Sequence, residues 1–161
     1  MTPEEPGERT GERSGPSRLA GMSPWVAMAG LSLADAMDGR LQCGVDLIEI
    51  PRIEAAVRRW GDRILHRVWT DRELAYCRGR APQLASRFAG KEAASKALGT
   101  GIRDIVWRDI EILPDRRGKP LVFLHGAAKE RAALLGLDTW SISLTHSREL
   151  ACAMVVAWAS K

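Results

Sequence analysis

The feature that most limits what this chain can fold into is the run Arg87-Phe-Ala-Gly-Lys-Glu-Ala-Ala-Ser-Lys-Ala-Leu-Gly-Thr-Gly101. It predicts a helix from about Leu84 to Leu98 that stops near Gly99 and Gly101, where glycine tolerates the positive φ of a helix end. Glu92 and Lys96 are four residues apart and so neighbours on one helical face, with Ser95 and Gly99 close by. Spacing alone leaves two readings open. One is an ordinary surface ion pair worth about 0.2–0.5 kcal/mol. The other is a carboxylate that holds magnesium beside an ammonium that meets a bound phosphate, with Gly99 admitting a bulky ligand to the backbone.

Shorter elements are expected around this helix. Residues 41–48 look like a strand, and 51–60 like a helix entered through Pro51. Thr70 and Glu73 have capping-box spacing for a helix from Asp71 toward Arg78. Strands near 107–113 and 119–124 flank a hairpin turn at Asp115-Arg-Arg-Gly118. Residues 127–135 read as helix, and 139–146 and 151–158 as paired strands. Without a repeated βαβ spacing, the mixture predicts an α+β fold in which a small antiparallel sheet packs against helices. Residues 1–40 are expected to be a disordered or mis-started N-terminal extension, and residues 41–161 to form the domain. Residues 1–21 have a polar, Gly- and Pro-rich composition without amphipathic period, and Met22, Met28 and Met37 offer internal starts. The stretch 22–41 is interrupted by Pro24, Asp35, Asp38 and Arg40 and lacks the apolar length of a membrane span.

Charge narrows the partners. Residues 1–40 hold six acidic and four basic side chains, which leaves 14 acidic against 20 basic in residues 41–161, a net of +6. A domain with that excess attracts anions: nucleic acid, an acidic protein or a phosphorylated metabolite. Cys43, Cys77 and Cys152 form no CxxC pair, and His66, His125 and His146 lack HExxH spacing. Zinc and a disulfide framework are disfavoured, a reduced cytosolic setting is favoured, and any metal should sit on carboxylates and be magnesium.

Asp46 interrupts the apolar run Gly44-Val-Asp-Leu-Ile48. A carboxylate inside a strand needs a partner: a helix end, an arginine, or magnesium shared with Glu92. His146, near a strand end, could meet phosphate or ribose or move a proton, or simply be structural. Arg52, Arg58, Arg59, Arg63 and Arg67 make a basic face that is either merely solvated or a dock for an acidic protein. Gly118-Lys119 is not a P-loop, and the six tryptophans do not interleave with basic residues as a single-strand-binding platform would.

Taken in order, Gly44-Val-Asp-Leu-Ile-Glu-Ile-Pro-Arg-Ile53, the run 87–101, Asp109-Ile-Glu-Ile112, Gly118-Lys-Pro120 and Ser143-Leu-Thr-His146 resemble the holo-[acyl-carrier-protein] synthases, bacterial 4'-phosphopantetheinyl transferases. The resemblance spans about Leu41 to Trp158. It implies that Asp46 and Glu92 hold magnesium on the coenzyme A pyrophosphate and that Lys96 contacts the reacting phosphate. It further implies that Arg87 and His146 bind the nucleotide part of coenzyme A, and that Arg52 docks the acyl carrier protein. Catalysis would then rest on Asp46, Glu92 and Lys96, with Gly99 in the coenzyme A site. The implied assembly is a homotrimer with clefts between subunits, in the cytoplasm, serving fatty-acid synthesis, with no nucleic-acid or membrane partner. Leu150 stands where the family often has an aromatic residue. The competing readings are a transferase serving polyketide or other carrier domains, and a non-enzymatic basic module for RNA or an acidic protein.

Overall fold

The computed structural model describes residues 41–102 and 104–160; the extension expected over 1–40 lies outside them. Strand β1 (Leu41–Glu49) leads through helices α1 (Ile50–Trp60), α2 (Asp62–Val68) and α3 (Asp71–Cys77) into the long helix α4 (Ala81–Ala97). A 3-10 turn at Trp107–Asp109 precedes β2 (Ile110–Pro114) and β3 (Pro120–Leu124). Helix α5 (Gly126–Leu134) and strands β4 (Thr139–His146) and β5 (Leu150–Trp158) complete the chain. The class is α+β, with two antiparallel sheets: three strands in the order β1-β5-β4, and the hairpin β2-β3.

Local chemistry explains most boundaries. Thr70 and Glu73 close their capping box around the start of α3, satisfying two N–H groups that the helix itself leaves open. Helix α4 begins at Ala81, three residues before the expected start, because Pro82 is well suited to a first turn. In the hairpin turn, Asp115 Oδ1 accepts from the N–H groups of Arg117 and Lys119 at 2.7 and 2.9 Å. Two expectations are corrected. Residues 107–109 are a 3-10 turn rather than strand, since the Asp109 carboxylate takes the Val106 N–H at 3.2 Å and bends the chain. The helix at 62–68 was not expected; α1 stops at Gly61, whose φ of 51° starts a new axis.

The core forms where α4 crosses the inner face of the three-stranded sheet. Ala93, Ala94 and Ala97 of α4 and Ala151, Ala153 and Ala157 of β5 are at most 1% exposed. Small side chains on both surfaces bring helix and sheet backbones close together. Gly44 on β1 is the tightest point, where a Cβ would collide with the Ala93 carbonyl oxygen. A Cβ at Gly90 would likewise meet Ile112 and lie 3.1 Å from Ile142 Cδ1. Ile48, Ile53, Leu84, Leu98, Ile110 and Val155 fill the surrounding space, each burial contributing about 1.5–3 kcal/mol. On the outer face of the sheet, Leu41, Val45, Leu47 and Met154 are all more than half exposed.

Candidate active site

The close crossing of β1 and α4 brings charges together at one corner. Even-numbered positions of β1 face α4, as the buried Ile48 shows, so Asp46 points toward the helix rather than toward the outer face. Lys96 reaches across from α4, and its Nζ donates to Asp46 Oδ1 at 2.8 Å and to the Val45 carbonyl at 2.9 Å. The lysine is therefore paired with the strand and not with Glu92, its neighbour by helical spacing. Glu92 is half-buried. Its carboxyl is pushed above the usual carboxylate range, first by burial and then by the negative charge of Asp46, while Lys96 and Arg52 act in the opposite sense. Asp46, Glu92, Lys96 and the exposed Arg52 thus share one electrostatic corner.

The donor set suits a hard cation. Two carboxylates and a backbone carbonyl offer only oxygen, and Lys96 pairs with one of the carboxylates. Among the described residues no group of three or more His, Cys, Asp or Glu gathers. The chain would supply part of a coordination shell, leaving positions for water and substrate, as magnesium commonly requires.

Backbone contacts fix the C-terminal end of α4. Ser95 is buried, and its Oγ donates to the Glu92 carbonyl at 2.8 Å. The N–H groups of Thr100 and Gly101 return to the Ser95 carbonyl at 3.3 Å, and Arg131 Nε donates to the Leu98 carbonyl at 3.2 Å. Gly99 opens onto a cleft of about 440 Å3, lined also by Thr100, Asp104, Ile105 and Arg131.

Arg87 and His146 stand apart from this corner within one chain. Arg87 lies five residues before Glu92, about 7.5 Å along the helix, and is 3% exposed. Its guanidinium lies 4.4 Å over the Tyr76 ring and donates to Gln83 Oε1 at 2.9 Å. Its Nε is buried without a partner among the described residues. His146 ends β4, two strands or about 9–10 Å from β1 in the sheet order, and the register sets it level with Ile48 rather than Asp46, a further two residues along the strand. It lines a cleft with Leu47, Ser147, Leu150 and Cys152.

A third concave surface lies on the helical side. Trp60, Ile64, Val68, Phe88 and Trp107 line a groove of about 570 Å3 rimmed by Arg63 and Arg67. Phe88 and Trp107 stack at its base with ring centroids 4.6 Å apart.

Comparison with known proteins separates a transferase from a non-enzymatic basic module. The family model described as the 4'-phosphopantetheinyl transferase superfamily matches residues 42–155. The chain belongs to this superfamily. The holo-[acyl-carrier-protein] synthase of Herpetosiphon aurantiacus is 54% identical over 123 residues, covering 72% of this chain and 97% of that protein. That of Dehalococcoides mccartyi is 48% identical over 117 residues, covering 73% and 98%. Among solved structures, the Helicobacter pylori holo-[acyl-carrier-protein] synthase in complex with coenzyme A is 34% identical with a TM-score of 0.66. That match covers 71% of this chain and 98% of the Helicobacter chain.

Two buried carboxylates of this phosphopantetheinyl transferase were missed in the sequence. Glu73, noticed only as a helix cap, also pairs with Lys91 of α4 at 2.8 Å, with both side chains fully buried. Glu111 on β2 accepts from Thr70 Oγ1 at 2.7 Å and from Arg72 at 2.9 Å. One signal was available for the first pair. Arg87, Lys91 and Ser95 recur every four residues, a polar stripe on one face of α4, and all three are buried.

Proposed function

We propose that this transferase is a holo-[acyl-carrier-protein] synthase. It moves 4'-phosphopantetheine from coenzyme A to a serine of apo-acyl carrier protein and releases adenosine 3',5'-bisphosphate. The observation that carries this reading is the Asp46–Lys96 pair beside a half-buried Glu92, in a chain that spans nearly the whole length of relatives bearing that name.

Asp46 and Glu92 would hold magnesium, which neutralises the diphosphate and orients it for in-line attack by the carrier serine. Lys96 is 48% exposed at its side chain, so its ammonium is free to turn from Asp46 to the phosphoryl oxygens. There it stabilises charge that develops as the phosphoanhydride bond breaks, or protonates the departing group. Gly99 leaves room at the helix end for the coenzyme. Arg87 and His146 serve the nucleotide half, and their distance from the corner within one chain supports a site completed between copies. The exposed apolar face of Leu41, Val45, Leu47 and Met154 supports assembly through the sheet, as a homotrimer.

The basic surface of α1 and α2 supports the carrier as partner. Arg52 borders the reactive corner, while Arg63 and Arg67 flank an apolar groove that fits an acidic helix. The cytoplasm suits three free thiols, of which Cys77 is pushed up to about 11 by burial and is unreactive. No helix of the described residues is long and apolar enough to cross a membrane. We assign the activity to residues 41–161 and make the preceding extension dispensable for it.

The test is to incubate the protein with coenzyme A, magnesium and apo-acyl carrier protein from fatty-acid synthesis, with polyketide carrier domains in parallel, and weigh each carrier by mass spectrometry. One added phosphopantetheine on the fatty-acid carrier is expected. No addition to any carrier would overturn the assignment, and addition only to polyketide carriers would replace the substrate.

A further inference from the structure

The buried Glu73–Lys91 pair has no part in the transfer chemistry, yet it is the most fully satisfied polar group on α4. Lys91 Nζ donates to Glu73 Oε2 at 2.8 Å, to the Trp107 carbonyl at 3.0 Å and to the Ile110 carbonyl, which uses all three N–H bonds of the ammonium. Glu73 accepts in addition from the N–H groups of Thr70 at 2.8 Å and Ile112 at 2.9 Å. A single ion pair therefore ties α4 to α3, to the 3-10 turn and to β2.

Such a pair contributes little net stability compared with an apolar replacement, because desolvation offsets the attraction; its best-attested use is to fix register. Helix α4 has need of register. Its closest contacts with the sheet are made by alanine and glycine, short apolar groups that set the spacing of the two backbones and offer no polar anchor for the helix's rotation. Lys91 immediately precedes Glu92. With side chains extending about 5–6 Å from the helix axis, a rotation of about 20° moves the Glu92 carboxylate by about 2 Å. A misplacement of about 1 Å is enough to lower a rate on the order of 100-fold.

We propose that Glu73 and Lys91 are positioning residues that set the rotation of α4, so that Glu92 and Lys96 face Asp46 as the divalent cation and the diphosphate require. This rests on the reading of Asp46 and Glu92 as the metal-binding carboxylates. Both side chains are fully buried, out of reach of a bound substrate.

The test is binding of Mn2+, followed by electron paramagnetic resonance, to the full chain and to its Glu73→Gln/Lys91→Met double variant. The double change removes both charges at nearly constant volume and leaves no uncompensated ion inside. A variant that keeps the wild-type circular dichroism and assembly but binds Mn2+ at least about 10-fold more weakly supports the proposal, that being the usual effect of losing a group that orients a metal ligand. Wild-type Mn2+ affinity in the folded double variant would overturn it. If that variant does not fold, Glu73→Asp keeps the charge and shortens the reach; a several-fold loss supports the proposal and an unchanged affinity overturns it. Glu92→Gln separates the two readings. If wild type and Glu92→Gln bind Mn2+ alike, the metal site itself is wrong and the inference falls with it. If only Glu92→Gln is impaired, the site stands and the positioning role does not.

Discussion

Lys91 and Lys96 lie five residues apart on α4, and each meets a carboxylate at 2.8 Å. In distance the two pairs are alike, and in surroundings they are opposites. Glu73–Lys91 is fully buried, whereas in Asp46–Lys96 the side chains keep 17% and 48% of their exposure. Every N–H bond of Lys91 is taken by groups that cannot leave, and burial pulls its ammonium below the usual lysine range while Glu73 holds it up. Lys96 is held by one carboxylate oxygen and one carbonyl at the edge of solvent, as its proposed contact with phosphate requires. An ion-pair distance does not reveal a role. Saturation and access to water do.

Single substitutions should separate the pairs most sharply. Lys91→Met leaves Glu73 buried without its cation and should cost about 3–5 kcal/mol of stability, read as a lower urea midpoint. Lys96→Met should change stability by less than about 1 kcal/mol, as for a pair open to water. Its transfer rate should nevertheless fall on the order of 100-fold or more, as when a charge-stabilising donor is lost. Equal stability losses in the two variants would erase the distinction.

A smaller effect should reach only one pair. Gly44→Ala puts a methyl group against the Ala93 carbonyl, and backbone must move. The expected cost is about 1–3 kcal/mol, with the transfer rate lowered because Asp46 shifts relative to α4. Glu73–Lys91 lies away from this contact. A Gly44→Ala protein with wild-type midpoint and rate would show the β1–α4 crossing to be looser than described.

The smallest effect is electrostatic. Glu92 is raised by burial and by Asp46, so the native state favours its protonated form. Its contribution to stability is full below the unfolded-chain value and is lost as pH rises through the raised value. In the proposed role of Glu92 a metal ion must displace that proton, and Mn2+ affinity should therefore decline on acidification from above the ordinary carboxylate range. Asp46→Asn removes one cause and should move the Glu92 titration downward in carboxyl 13C shifts. A titration that stays in place would mean the two carboxylates do not feel each other.

Much of this was legible in the residues. The helix carrying Glu92 and Lys96, the strand carrying Asp46, the capping box at Thr70 and the turn at Asp115 all have short-range causes, and the structure follows them. The ordered family runs carried the fold class and the superfamily. What could not be read was long-range. The partner of Lys96 lies 50 residues away in sequence, and helical spacing pointed to Glu92 instead. Glu73 meets β2 and α4 only after the chain has folded, and its cap signature gave no sign of that second duty. Asp109 competes with the strand pattern through its own side chain, which hydrophobic alternation does not register.

The most direct test of the account is the transfer rate as a function of free magnesium, read from the mass of the carrier, for wild type and Glu92→Gln side by side. The wild-type rate should rise to saturation with magnesium and be abolished by a chelator, and the Glu92→Gln rate should be at least about 100-fold lower. Transfer that survives chelation, or a Glu92→Gln protein as fast as wild type at limiting magnesium, would contradict it.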